Sequence, residues 1–105
     1  MSGLAEVDGK GAEIKALCFR YGVQLLWLFG SALTENWDPR KSDFDFVVQY
    51  GPAPQDIGAF DQYFLFKAEL SEILGKDVDL VEWDAVKNPF FQRLIERTRK
   101  PIFAA

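Results

Sequence analysis

The segment Ser42-Asp43-Phe44-Asp45-Phe46-Val47-Val48 sets two carboxylates two residues apart in an otherwise apolar run. On a strand, side chains alternate, so Asp43 and Asp45 fall on one face while Phe44, Phe46 and Val48 fall on the other. Adjacent carboxylates repel, and burying either one is expensive. A divalent cation relieves that repulsion, and magnesium in particular is usually held by one or two carboxylates together with substrate phosphates. The segment Asp77-Val78-Asp79-Leu80-Val81 repeats the pattern. If the two strands are neighbours, Val78 and Leu80 pack beside Phe44 and Phe46, and Asp77 and Asp79 join Asp43 and Asp45 on a single surface. Aspartates at alternate strand positions also make an ordinary solvated face, so alternation alone leaves both readings open.

Gly30-Ser31 closes the apolar run Val23 to Phe29 and opens a polar stretch. At such a step, backbone N–H groups and a hydroxyl can hold a phosphate, and glycine lets it approach the backbone closely. Most Gly-Ser pairs are simply turns. Here the pair belongs to a longer order: strand, Gly-Ser, helix, paired aspartates, then further aspartates on another strand.

The chain has 105 residues, no histidine and one cysteine, Cys18. Ser-His-Asp triads, Cys-His pairs, histidine metal sites, an internal disulfide and a cysteine zinc cluster are therefore excluded. Carboxylates, hydroxyls, Lys/Arg and backbone dipoles remain. Single-cysteine usage suits a reducing compartment, and a cytoplasmic location is expected. The net charge of −4 gives no reason to expect direct nucleic-acid binding. That charge is uneven: residues 1–86 carry a net −8 and residues 87–105 a net +4. The run Leu25-Leu26-Trp27-Leu28-Phe29 is far shorter than the ~20 residues of a membrane span, and the opening residues lack a signal-peptide pattern.

One domain over residues 1–105 is expected, with residues 1–9, small and acidic, forming a loose arm. Ile14, Leu17, Cys18 and Tyr21 have the spacing of a helix with one buried face, stopped at Gly22. Residues 23–29 read as a strand buried on both faces, residues 31–41 as a short helix and then a loop, and residues 43–50 as a strand ended by Gly51-Pro52-Ala53-Pro54. Residues 57–74 form a long helix. It carries Phe60, Tyr63, Phe64, Leu65 and Phe66, a wider apolar girth than one core stripe needs. This helix is either buried between the sheet and the terminal helix or presents an interface. Trp37 is likewise an interface residue or a loop anchor. Residues 77–83 are a third strand, Asn88-Pro89 caps a last helix burying Phe91, Leu94, Ile95 and Thr98, and Pro101-Ile102-Phe103 adds a short edge strand. The order α-β-α-β-α-β-α predicts an α/β (α+β) domain, a small mixed sheet packed by helices.

Leu28-Phe29-Gly30-Ser31, the Asp43/Asp45 segment and Val78-Asp79-Leu80-Val81 together resemble the DNA polymerase β-like nucleotidyltransferase superfamily, specifically its minimal nucleotidyltransferase branch. The likeness runs from about Ile14 to Phe103. It implies that Asp43 and Asp45 are catalytic and bind metal, with Asp79, favoured over Asp77 by the Val-Asp-Leu-Val match, as the third carboxylate. It implies that Gly30 and Ser31 contact nucleotide phosphates, and that AMP passes from ATP to a hydroxyl with two Mg²⁺ ions, releasing pyrophosphate. Phosphoryl-type transfer relies on positioning and charge neutralisation, so the lack of histidine is no obstacle. The resemblance further implies a helical HEPN partner, an RNase toxin, for which such a chain is the antitoxin in a hetero- or homo-oligomer. It would act by adding AMP to a toxin tyrosine or, without catalysis, by direct contact. Intact Asp43, Asp45 and Asp79 favour the first mode; where family members often carry an arginine shortly after Gly-Ser this chain has Thr34 and Glu35, which leaves room for the second, with Arg40 or Lys41 as the nearby cations that could substitute.

Overall fold

The computed structural model describes residues 3–34, 37, 38, 40 and 43–105. Four strands form one mixed sheet in the order β3-β2-β1-β4: β1 Val23–Phe29, β2 Phe44–Tyr50, β3 Val78–Glu82 and β4 Lys100–Ala104. β1 runs antiparallel to both β2 and β4, whereas β2 and β3 are parallel. The parallel pair needs a crossover, which α3 (Ala59–Leu74) supplies. The expected mixed sheet packed by helices is the fold observed.

Alternation in the strands divides the apolar residues between two cores. Leu26, Leu28, Phe44, Phe46, Val48, Val78 and Leu80 face one side. There they pack with Ile14, Leu17 and Cys18 of α2 (Gly11–Arg20) and with Phe66 and Leu70 of α3. Val47, Trp27 and Phe29 face the other side, covered by Ile95 and Phe91 of α4 (Pro89–Thr98). Trp27 meets Trp83 edge-on, and Phe29 meets Phe91 in the same way. Helices therefore cover both faces, and β1 is apolar on both.

Three expectations change. The loose arm is a short helix over its described part: α1, Gly3–Asp8, buries Val7 completely and rests Leu4 on the main core. Two apolar residues three apart suffice for one turn of buried face. Second, α3 and α4 lie on opposite sides of the sheet, so Phe60, Phe64 and Leu65 are exposed rather than sandwiched. Third, Leu94 and Thr98 of α4 are exposed, and Phe91 and Ile95 carry its packing. Trp37 is buried and stacks on Phe44 with ring centroids 4.7 Å apart, so it anchors its loop.

Candidate active site

Strand register builds the site. Asp45, the second residue of β2, lies laterally opposite Phe29 of β1 and opposite Asp79 of β3. The chain turns out of β1 immediately after Phe29, so Gly30 also stands beside Asp45. Gly30 has φ +78°, in the region that disfavours side chains, and a Cβ built there would lie 2.6 Å from Asp45 Oδ2. The carboxylate thus rests against bare backbone. Gly30 at the exit of β1, Asp45 on β2 and Asp79 on β3 form a row on the α4 side of the sheet.

The Asp45 carboxyl is half-buried, and its pKa is pushed from 3.8 up to about 6. Burial is the largest cause, followed by the charge of Asp79, a side-chain hydrogen bond with Asp79, and the charge of Asp43. In that bond the protonated form of the Asp45 carboxyl is the donor. Asp43, just ahead of β2, is exposed, as are Asp77 and Asp79. Asp77 uses its backbone carbonyl to accept from the Phe44 N–H at 3.2 Å, and its side chain lines a cavity with Asp43 and Arg40. It is not among the groups that raise Asp45. Of the two aspartates at the start of β3, Asp79 is the one directly abreast of Asp45.

Ser31 belongs to a 3₁₀ turn, Gly30–Leu33. Its carbonyl accepts twice from Thr34, from the N–H at 3.0 Å and from Oγ1 at 2.8 Å. The turn is braced from behind by α1: a Cβ on Gly3 would lie 2.7 Å from the Ala32 Cβ. Glu35, Lys41 and Ser42 lie outside the described residues.

Among the described residues no group of three or more His, Cys, Asp or Glu closes into a ready metal cage. The donors present are hard carboxylate oxygens, and the raised pKa of Asp45 reflects burial plus repulsion from Asp79 and Asp43, with no cation among the described residues as a counterweight. That is a fit for magnesium, which takes few protein ligands and completes its shell with water and phosphate. Sequence reasoning missed the contributions of α3: Phe64 and Lys67 share a cavity with Asp43 and Asp79. Their spacing on the helix was visible, but the side of the sheet it covers was not.

Residues 12–105 match the family model "Polymerase beta, Nucleotidyltransferase". A Methanocaldococcus jannaschii chain named as a candidate protein adenylyltransferase, MJ0128, is 35% identical over 82 residues, spanning 78% of this chain and 79% of that one. Among solved structures, a chain described as a candidate minimal nucleotidyltransferase superposes with TM-score 0.73 at 22% identity, over 96% of both chains. The complex of a tri-AMPylated Shewanella oneidensis HEPN toxin with an MNT antitoxin gives TM-score 0.62 at 21% identity, over 94% of this chain and 73% of that one. No helix of the described chain is long and apolar enough to cross a membrane. The two structural likenesses speak to the fold; the family match and the archaeal relative go further, and by them this chain belongs to the polymerase beta nucleotidyltransferases, enzymes that transfer nucleotidyl groups.

Proposed function

We propose that this chain transfers AMP from ATP to a hydroxyl, a tyrosine of a HEPN-type toxin, and thereby acts as the antitoxin. The observation that carries the reading is Asp45 resting against the bare backbone of Gly30 with Asp79 directly abreast of it on β3. Two hard carboxylate donors, one of them beside a turn of bare backbone, support a magnesium and phosphate role for this place. The name of the archaeal relative and the AMPylated toxin in the Shewanella complex support AMP and a protein acceptor.

In this reading the Gly30 backbone and Ser31 hold the triphosphate, and Asp43, Asp45 and Asp79 hold magnesium. Magnesium held by these carboxylates would supply charge neutralisation for the phosphate and for the displacement. Asp79, exposed at the outer strand, receives the proton of the attacking hydroxyl. The hydroxyl oxygen bonds to the α-phosphorus, the bond from that phosphorus to the bridging oxygen breaks, and pyrophosphate departs with the electron pair. The proton passes from Asp79 to water.

A second reading is neutralisation by contact alone. It is favoured by Thr34, whose hydroxyl turns back onto the Ser31 carbonyl at a place where relatives often carry arginine. Incubation with ATP, Mg²⁺ and a purified HEPN toxin, followed by intact mass of the toxin, separates the two. The transfer reading predicts an AMP-sized gain that Asp43→Asn with Asp45→Asn abolishes. Equal neutralisation by wild type and double variant without any mass gain overturns it.

A further inference from the structure

We propose that the acceptor polypeptide docks along α3 and the outer side of β3: an apolar side chain sits on Phe60 and Phe64, basic residues meet the acidic rim, and the hydroxyl enters between Phe64 and Asp79. The inference rests on the function proposed above and adds where the acceptor enters and what chemistry it carries.

Phe60 is 72% exposed and Phe64 50%, yet their rings stack with centroids 4.5 Å apart, a preformed aromatic shelf on the helix surface. Phe64 borders two hollows. One, of about 500 Å³, is shared with Lys67, Asp43, Asp77 and Asp79. The other, of about 520 Å³, lies between Phe60, Tyr63 and Leu80, with Glu82 on its wall. The shelf lies on the α3 side of the sheet and the Asp79 side chain on the α4 side, so a chain covering the shelf reaches the carboxylates across the open edge of β3, where the first hollow lies.

The side of approach follows from the chemistry. In-line displacement puts the nucleophile and the leaving group on opposite sides of phosphorus. Gly30 flanks Asp45 from β1, and Asp79 flanks it from β3. With phosphates on the Gly30 side, the hydroxyl comes from the Asp79 side, where the first hollow opens. Neither Gly30 nor Ser31 lines that hollow.

Two features define the occupant. The Tyr63 hydroxyl donates to the Leu80 carbonyl at 2.7 Å, which occupies an acceptor of the outermost strand and disfavours pairing by an added strand. Recognition is then through side chains. The two hollows carry Asp43, Asp77, Asp79 and Glu82 against Lys67, so the complementary segment is cationic beside its hydroxyl.

The test is a titration of the ¹⁵N-labelled full chain, without nucleotide, by the capped peptide Arg-Leu-Arg-Tyr-Leu-Leu and by its counterpart with Glu for Arg. Saturable shift changes centred on Phe60 to Lys67 and on β3 are expected. Binding should weaken about fivefold or more for the acidic peptide and for Phe60→Ala with Phe64→Ala, as for anchor residues at an interface centre. Phe90→Ala, an exposed aromatic on α4, should leave affinity unchanged. Glu82→Lys weakens the basic peptide without touching the apolar shelf, so the proposal stays testable should the double variant misfold. No saturable binding, shifts centred on α4, or equal affinity in the double variant overturns it. Because nucleotide is absent, a failure of AMP transfer leaves this result standing, and transfer with docking elsewhere overturns the docking surface alone.

Discussion

Asp45 sits where ionisation works against the fold. Its pKa is raised from 3.8 to about 6 in the folded chain, so folding favours the protonated form. The associated stability is fully present below about pH 3.8 and is lost as pH rises through about 6. Asp45→Asn removes the titration. Urea midpoints should fall between pH 5 and pH 8 for wild type more than for the variant, while Mg²⁺ should raise the wild-type midpoint at pH 8 and leave the variant unmoved. The same proton competes with cation binding, so transfer should rise with pH through about 6. At Gly30, φ +78° and the nearness of Asp45 Oδ2 make a side chain doubly unwelcome. Gly30→Ala is expected to lose about 1–2 kcal/mol from backbone conformation alone, with a further loss as Asp45 is displaced. Chemical denaturation and ATP-binding calorimetry would both register it. The aspartates themselves were legible as alternating charges in apolar strands. Their union with Gly30 was not, because it depends on β1–β2 and β2–β3 register, and register is what separates Asp79 from Asp77.

At the scale of elements, α4 closes the Asp45 face of the sheet with few buried contacts, chiefly Ile95 with Val47 and Val86. Its start is fixed by Asn88, whose Oδ1 accepts from the Phe90 and Phe91 N–H groups at 2.9 and 3.3 Å. Asn88→Ala should destabilise by about 1 kcal/mol, read as a lowered melting temperature and faster amide exchange in the first turn of α4. That cap was readable from Asn88-Pro89, as α2 was from its four apolar positions and α3 from its stop at Gly75. α1 escaped notice because Leu4 and Val7 are too short a pattern to stand out among glycines and acids. The exposed aromatics of α3 could not be assigned either, since their fate depends on the side of the sheet that α4 takes. No local periodicity encodes that choice.

Across the whole molecule, the larger core between the sheet and α1–α3 binds the elements into one body, and its centre includes Cys18. That side chain has no exposed surface, and burial pushes its thiol pKa up to about 12. A neutral, enclosed sulfur is a poor nucleophile and a poor target for oxidants or soft metals. The sole thiol of the chain is consequently a natural clock for opening of the interior. Iodoacetamide should label it at stoichiometry in denaturant and only at the pace of unfolding in buffer, and a ligand that tightens the fold should slow that pace in proportion.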